Sequence, residues 1–287
     1  MPVSPEAVVI GLAVVGLIAL LAWYLLIKTE GVYLGRRVVI WLYDVYARRY
    51  DRIKNFDPTY ETLFLGRPVV ACLRENPAPL VLDVATGTGR LPLILLEQED
   101  FTGYVIGLDL SREMLFQAAL KLAGYRGRFT LIRQTATALP FPDDVFDLVT
   151  CLEALEFVPD AATVLREIVR VARPGAFVLI TNRRGLDARL MPGKTFRAKT
   201  LVGLLESLGL VNVEVERWQV DYDLIWALKP GEPIRAGRRT LEGVLCCPAC
   251  GAVELIPLDG TAWVCASCER RAPVGEDGVI DLVRMIS

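Results

Sequence analysis

The hydrophobic and polar positions divide the chain into three unequal stretches. From Ala7 to Ile27 it reads AVVIGLAVVGLIALLAWYLLI, 21 residues without a charge. As a helix rising about 1.5 Å per residue, that segment is about 31 Å long, the thickness of a bilayer core. No basic stretch precedes it and no small-x-small cleavage pattern follows, so an uncleaved membrane helix fits better than a signal peptide. From Val38, VVIWLYDVYARRYD has the spacing of an amphipathic helix. From Leu80 onward the runs LVLDV, GYVIGLDL, FTLIRQT, FDLVTC and AFVLITN alternate with helical patterns at Arg90 to Gln98, Ser111 to Leu122, Asp160 to Ala172 and Phe196 to Leu208. LVNVEVERW and DYDLIWALK add two strands. The alternation predicts an α/β fold with a doubly wound, mostly parallel sheet. KPGEPIRAGRR, from Lys229 to Arg239, has no period and reads as a linker. The expected organisation is an anchor over residues 1–30, a main domain over 31–230, a linker over 231–240 and a small module over 241–287.

Charge narrows the partners. With 32 Lys and Arg against 34 Asp and Glu, the net charge is −2. Such a chain has no global basic field, so nucleic acid is not an expected partner. Lys28, Arg36, Arg37, Arg48, Arg49, Arg52 and Lys54 follow the apolar segment, whereas Met1 to Glu6 contains no Lys or Arg. The positive-inside rule then predicts a single-pass protein of the cell membrane with its main domain on the cytoplasmic side. Arg48, Arg49 and Arg52 fit either contacts to anionic lipid headgroups or an ordinary solvated face.

The chemistry begins at VLDVATGTGRLP, where a strand ending near Asp83 runs through Gly87 and Gly89 into a helix. Glycines at such a turn let the backbone bend sharply and approach a ligand without a Cβ. A dinucleotide site wants a third glycine, but Arg90, Leu91 and Pro92 follow here. A plain strand-to-helix turn remains the alternative for the glycine pair alone.

In their order along the chain, these motifs resemble those of the class I S-adenosylmethionine-dependent methyltransferases. The match covers about Tyr43 to Leu228 and implies a seven-stranded methyltransferase sheet. It places Asp83 near the methionine amino group and Ala85, Gly87 and Gly89 beside the cofactor. Asp109, ending VIGLDLSREML, would bind the ribose hydroxyls, with Leu110 and Met114 flanking the adenine. Many relatives carry an acid before the A-x-x-L-P-F run, where this chain has Thr135; its hydroxyl, or the backbone of Ala136, is then expected to meet the adenine amino group. Taken singly, Asp109 fits a strand-end cap and Met114 a core position.

LYDVYARRYDRIKNFDPTYE resembles the N-terminal lid of ubiquinone/menaquinone C-methyltransferases and phosphatidylethanolamine N-methyltransferases, with Tyr43-Asp44 and Tyr50-Asp51 as its paired motif. An amphipathic helix docked on the core is the plainer reading. A membrane helix before such a lid would hold the active-site mouth at the lipid surface, within reach of a lipid-like or quinone-like acceptor. The chain has no histidine, so a proton must go to a carboxylate, a tyrosine, water or the acceptor itself. Glu153 and Glu156 lie where relatives place acceptor-side residues and are the candidate catalytic groups; solvated helix-start acids are the alternative.

Cys247-Pro-Ala-Cys250 and Cys265-Ala-Ser-Cys268 have the spacing of a zinc ribbon with four thiolates around a structural Zn2+. Disulfides or an eroded site are the alternatives. Cys246 is a spare neighbour, and Cys72 and Cys151 read as apolar core positions. The ribbon resembles the small family of separate methyltransferase-activating subunits, including a closing P-V-x-x-D-G-x-x-x-L-V cadence. It is expected to depend on its ion while the main sheet keeps its own core, and either to activate in cis or to dock a membrane protein partner. Two other readings stay open: a membrane-complex scaffold retaining the fold without turnover, and, less favoured, an RNA methyltransferase.

Overall fold

The computed structural model describes residues 4–232, 239–253 and 255–286. Helix α1, Pro5–Trp23, begins at Ser4, whose hydroxyl accepts the Ala7 N–H. It continues through a π-helical turn, Tyr24–Lys28. Together they form 24 residues whose most apolar 18-residue window has a mean hydropathy of 2.6 and is not buried against the rest of the chain. The helix is long and apolar enough to cross a membrane. Its far end is docked: the Tyr24 hydroxyl donates to the Leu190 carbonyl at 2.6 Å, the Tyr33 hydroxyl to that of Pro192 at 2.9 Å, and Lys28 pairs with Asp187.

Short helices follow: α2 (Arg36–Tyr46), a 3-10 turn (Ala47–Arg49), α3 (Tyr50–Lys54), α4 (Pro58–Glu61) and α5 (Arg67–Leu73). Asp57 caps α4 by accepting the Thr59 and Tyr60 N–H groups, a start signal reinforced by proline in the first turn.

The main sheet is then laid down as β1 (Leu80–Val84), α6 (Arg90–Leu96), β2 (Tyr104–Asp109), α7 (Arg112–Lys121), β3 (Phe129–Arg133), β4 (Phe146–Cys151), α8 (Ala161–Val171), β5 (Ala172–Arg183), α9 (Gly185–Arg189), α10 (Ala198–Ser207), β6 (Val211–Arg217) and β7 (Tyr222–Leu228). The predicted helix starts at Ser111 and Asp160 are N-caps, each side chain accepting a backbone N–H of the first turn. Strands β1 to β5 are parallel, and β7 and β6 complete one side antiparallel. In β1, Leu80, Leu82 and Val84 enter one core and Val81 the other, the period of two expected for a strand covered on both faces.

The C-terminal module contributes β8 (Leu255–Leu258), β9 (Ala262–Cys265) and β10 (Arg271–Pro273) as a small antiparallel sheet. Its last strand, β11 (Ile280–Asp281), leaves that sheet and pairs in parallel with β3. The main sheet therefore has eight strands, in the order β11-β3-β2-β1-β4-β5-β7-β6. Val244, Leu245, Leu255, Ala272, Ile280 and Leu282 join the same apolar cluster as Leu82, Ile106 and Val149. A module of this size gains little from burial alone, and here it borrows the core of its neighbour. The ribbon thus packs on the main domain and shares its apolar clusters. Of the linker expected over 231–240, residues 233–238 lie outside the described residues. Arg239, just after them, pairs with buried Asp147.

Asp281 is buried and pairs with Arg133 at 3.0 Å, while Arg112 grips Asp277 with both guanidinium nitrogens at 2.7 and 2.9 Å. Removing one member of a largely buried pair leaves the other uncompensated. Asp281→Ala should lower stability by about 2 kcal/mol, read as an earlier denaturant midpoint for the whole chain in detergent. An unchanged midpoint would show that β11 contributes nothing to the sheet's stability.

Candidate active site

Asp83, next to the end of β1, lies between two buried layers, so its carboxylate must be satisfied from within. The Thr86 hydroxyl donates to one oxygen at 2.7 Å and the Thr150 hydroxyl to the other at 2.6 Å. Burial still pushes its pKa up to about 6, against the opposing pull of Thr150, Thr86 and Arg90. The chain then turns through Ala85 (φ 57°), Gly87 (φ 56°) and Gly89 (φ 74°), all in the left-handed region. The two glycines serve different ends. A Cβ on Gly87 would meet nothing within 4 Å, which leaves room for a ligand; one on Gly89 would stand 3.0 Å from the Ala118 Cβ. Gly89 thus lets α6 lie close against α7.

Asp109 ends β2 beside this turn. Its two oxygens accept the N–H groups of Gly87 at 2.8 Å and Ser111 at 2.9 Å. Burial raises its pKa, and those backbone donors oppose the rise. The carboxylate is held in place while its remaining lone pairs are left for a ligand hydroxyl.

Two chambers meet at this point. The larger extends about 840 Å³ to its open mouth and is walled by Asp109, Leu110, Gln134, Thr135, Ala136 and Phe157, among others. The smaller is lined by Asp83, Ala85, Thr86, Gly87, Arg90 and Glu153. Tyr50, Ala85, Gly87, Leu152 and Glu153 border both. The first suits an apolar, hydroxyl-bearing group such as a nucleoside, and the second a small zwitterion.

The lid closes over the junction through its two Tyr-Asp pairs. Asp44 accepts the Ser111 hydroxyl and, at 3.3 Å, the Glu113 N–H at the start of α7. Asp51 accepts the Thr88 hydroxyl in the glycine turn and pairs with Lys121 at 2.5 Å. The acids latch the lid while their neighbours Tyr43 and Tyr50 line the larger chamber, ring centroids 5.9 Å apart. Burial, with Glu30 nearby, raises the pKa of both hydroxyls well above the ordinary value for tyrosine. They remain protonated donors at neutral pH; the Tyr43 hydroxyl donates to Glu30 at 2.8 Å.

Arg90 closes the other side. Its guanidinium lies 4.1 Å from the Phe56 ring centroid and 5.3 Å from that of Trp218, with Glu153 at 2.9 Å and Glu61 at 3.7 Å. Glu153 sits at φ 51°, its N–H donating to the Thr181 hydroxyl at 2.6 Å. A non-glycine residue held in that region is a strained feature of a kind that clusters at functional sites. Lys54 stands 4.0 Å from Glu153 and 3.8 Å from Glu30.

Of the residues expected at the cofactor, Asp83, Ala85, Gly87, Asp109, Leu110, Thr135 and Ala136 line the two chambers. The Thr135 hydroxyl is already engaged with that of Thr137 at 2.8 Å. Met114, expected to flank the adenine, is 1% exposed and does not line either chamber; its side chain is core. Gly89 likewise serves packing rather than the cleft wall. The two candidate acids separate. Glu153 borders both chambers, whereas Glu156 is sealed behind it, accepting the Tyr222 hydroxyl at 2.6 Å and lying 3.6 Å from Arg183. Sequence reasoning missed Arg90, Lys54, Gln134 and Arg183. Only Arg90 carried a signal, standing directly after the second glycine.

In the ribbon, the four thiols of Cys247, Cys250, Cys265 and Cys268 lie within 4.8 Å of one another, with pairs at 3.7 and 3.6 Å. Four sulfurs about 2.3 Å from a tetrahedral zinc would stand about 3.8 Å apart, so the donors fit that ion. Cys246 is outside the cluster. Cys151 is buried, but Cys72, expected in the core, is exposed on the outer face of α5.

Residues 82–180 match the family model for a methyltransferase domain. The chain is 36% identical to the ubiquinone/menaquinone biosynthesis C-methyltransferase UbiE of Geobacter sulfurreducens, over 60% of this chain and 70% of that protein. It is 44% identical to the demethylmenaquinone methyltransferase of Anoxybacillus flavithermus over 48% of this chain and 59% of that relative. Among solved structures, a SAM-dependent methyltransferase from Aquifex aeolicus superposes with a TM-score of 0.52 at 22% identity, covering 65% of this chain and 98% of that one.

Two outcomes follow for the cleft. If the ionised Asp83 favours a cationic amino group, S-adenosylmethionine affinity is full above pH about 6 and falls as pH drops through about 6, by up to about tenfold per unit. Calorimetric titration across that range checks it; an equally steep decline in Asp83→Asn would assign the effect elsewhere. Asp109→Ala should weaken the same binding by about tenfold or more, and unchanged affinity would remove Asp109 from the ribose site.

Proposed function

The chain belongs to the S-adenosylmethionine-dependent methyltransferases, among the ubiquinone/menaquinone C-methyltransferases, and on that premise we propose that it methylates a quinol ring at the membrane surface. The observation that carries this reading is the junction itself: two protonated tyrosines, Glu153, Lys54 and Arg90 gather where the two chambers meet, and both tyrosines also line a cavity that reaches the end of the apolar helix.

Bound S-adenosylmethionine supplies a methyl group activated by its sulfonium sulfur. Asp83, the Thr86 to Gly87 backbone, Asp109 and the Leu110 to Ala136 wall are the residues suited to hold it. The rest of the site has three tasks. Tyr43, Tyr50 and Phe157 exclude water and align a flat ring. Lys54 and Arg90 provide positive charge that favours the phenolate form of a ring hydroxyl, the form with an electron-rich neighbouring carbon. Glu153 is the cleft carboxylate placed to accept that proton. The balance closes: the methyl would bond to the ring carbon as its bond to sulfur breaks, leaving a neutral thioether, and the ring carbon would lose its own hydrogen as a proton to water while Glu153 returns its proton to the ring oxygen. Alignment and desolvation can supply much of the rate in such a displacement.

The apolar helix, followed by its basic flank, supports a single-pass anchor with the catalytic domain on the cytoplasmic side. The four-thiol cluster supports a structural zinc in the ribbon. The ribbon's route to the site runs through Arg133, whose guanidinium pairs with Asp281 and donates to the Leu110 carbonyl at 3.0 Å in the adenine wall. That bridge favours activation in cis over a role in docking another protein.

Vesicles containing the full chain, supplied with S-adenosylmethionine and a reduced demethylated naphthoquinol, should yield the ring-methylated product by mass spectrometry. Glu153→Gln should lower kcat by about 10²-fold with little change in cofactor affinity. No product from quinols, with cofactor still bound, would sink the substrate assignment and favour the scaffold reading. Metal analysis should find one zinc per chain, and Cys265→Ser with Cys268→Ser should release it and weaken cofactor binding through the loss of β11. Normal cofactor affinity in that zinc-free variant would defeat the cis coupling.

A further inference from the structure

A third cavity lies between the end of the apolar helix and the lid, and the cofactor site does not account for it. It extends about 760 Å³ out to its mouth, with Leu26 and Ile27 on the anchor side and Leu42, Tyr46 and Ile53 on the lid side. Its inner wall is Tyr43 and Tyr50, the same two rings that border the larger cofactor chamber. The cavity therefore reaches from the end of the apolar helix to the two tyrosines it shares with the larger chamber. Its polar groups, Glu30 and Lys54, belong to the ionic chain that touches Tyr43 and Glu153, so the apolar walls lead into a polar inner end.

The surroundings have the same character. Trp41 and Val45, one turn apart on α2, are 59% and 57% exposed, and Ile53 at the cavity's edge is 59% exposed. Leu186 and Leu190, in the segment against which the anchor docks, are also exposed. Exposed apolar side chains grouped around a membrane helix mark a surface that sits in the lipid interface.

We propose that this cavity is the binding site for the apolar tail of the acceptor, admitting a prenylated ring laterally from the bilayer and delivering its headgroup between Tyr43 and Tyr50. The inference rests on the quinol reading for the identity of the headgroup, but the tail site itself requires only a lipid-phase substrate. Apolar walls of this kind gain most from a hydrocarbon chain that would otherwise be in water. A chain still solvated by lipid gains much less, so selectivity arises from shape and from anchoring at the ring. The tail therefore contributes mainly by holding the ring at a fixed depth beside the site.

The test uses the full chain in phosphatidylcholine vesicles. A naphthoquinol bearing a prenyl tail with a terminal diazirine is photolysed, and the labelled peptides are mapped by mass spectrometry. Labelling should fall on residues 24–28 and 42–54 and be displaced by the unmodified prenylated quinol. In parallel, Leu26→Trp and Ile53→Trp, each filling the cavity away from the cofactor, should lower the ratio of kcat/KM for the tailed acceptor to that for a tailless one by at least tenfold. Cofactor affinity serves as the control for folding. Labelling confined to residues 5–23, or equal labelling by a diazirine phospholipid that the quinol does not displace, overturns the tail site, as does an unchanged ratio in both variants. Labelling of the cavity without turnover on any quinol would uphold the tail site and refute the proposed reaction.

Discussion

A buried guanidinium organises the catalytic end of this molecule. Arg90 begins α6 at the point where the cofactor loop ends, and its side chain has little access to water. A charge so placed is tolerable only when acids and aromatic faces replace its hydration. Those replacements come from separate parts of the chain: Phe56 and Glu61 from the lid, Glu153 from the turn after β4, and Trp218 from beyond β6. Meeting the needs of one cation thus draws the lid, the central strands and the antiparallel edge to a common point. It also orients Glu153, the acid that borders both chambers.

The latches on the opposite side follow a related logic. Asp44 and Asp51 bond to the beginning of α7 and to the glycine turn, so the lid reads the same backbone that shapes the cofactor site. The lid and that turn are held by the same hydrogen bonds. From the far edge, Arg133 ties Leu110 to β11. The Leu110 wall of the larger chamber is therefore held between an N-terminal lid and a C-terminal strand.

Much of this was legible in the amino-acid sequence because the signals are periodic or local. Alternating apolar runs predict strands wherever both faces are covered, and the acids closing β1 and β2 take their meaning from the turns beside them. Ser111 and Asp160 mark helix starts by short-range bonds. The remainder depends on contacts between distant residues. Met114 and Gly89 occupy positions compatible with either a ligand wall or helix packing, and only the approach of α7 to α6 decides between them. Ile280 and Asp281 are too few to register as a strand until a vacant edge is supplied by β3. Cys72 reads as core beside Val69, Val70 and Leu73, yet its place on the helix turns it outward.

Joining β11 to β3 links residues separated by 148 positions. Until that late segment is synthesised, β3 is an open edge with unpaired backbone donors and acceptors, the kind of surface that invites pairing with another chain. Quality control for this protein is consequently most demanding between the appearance of β3 and the arrival of β11, and a ribosome stalled in that interval would leave an intermediate with an adhesive sheet edge.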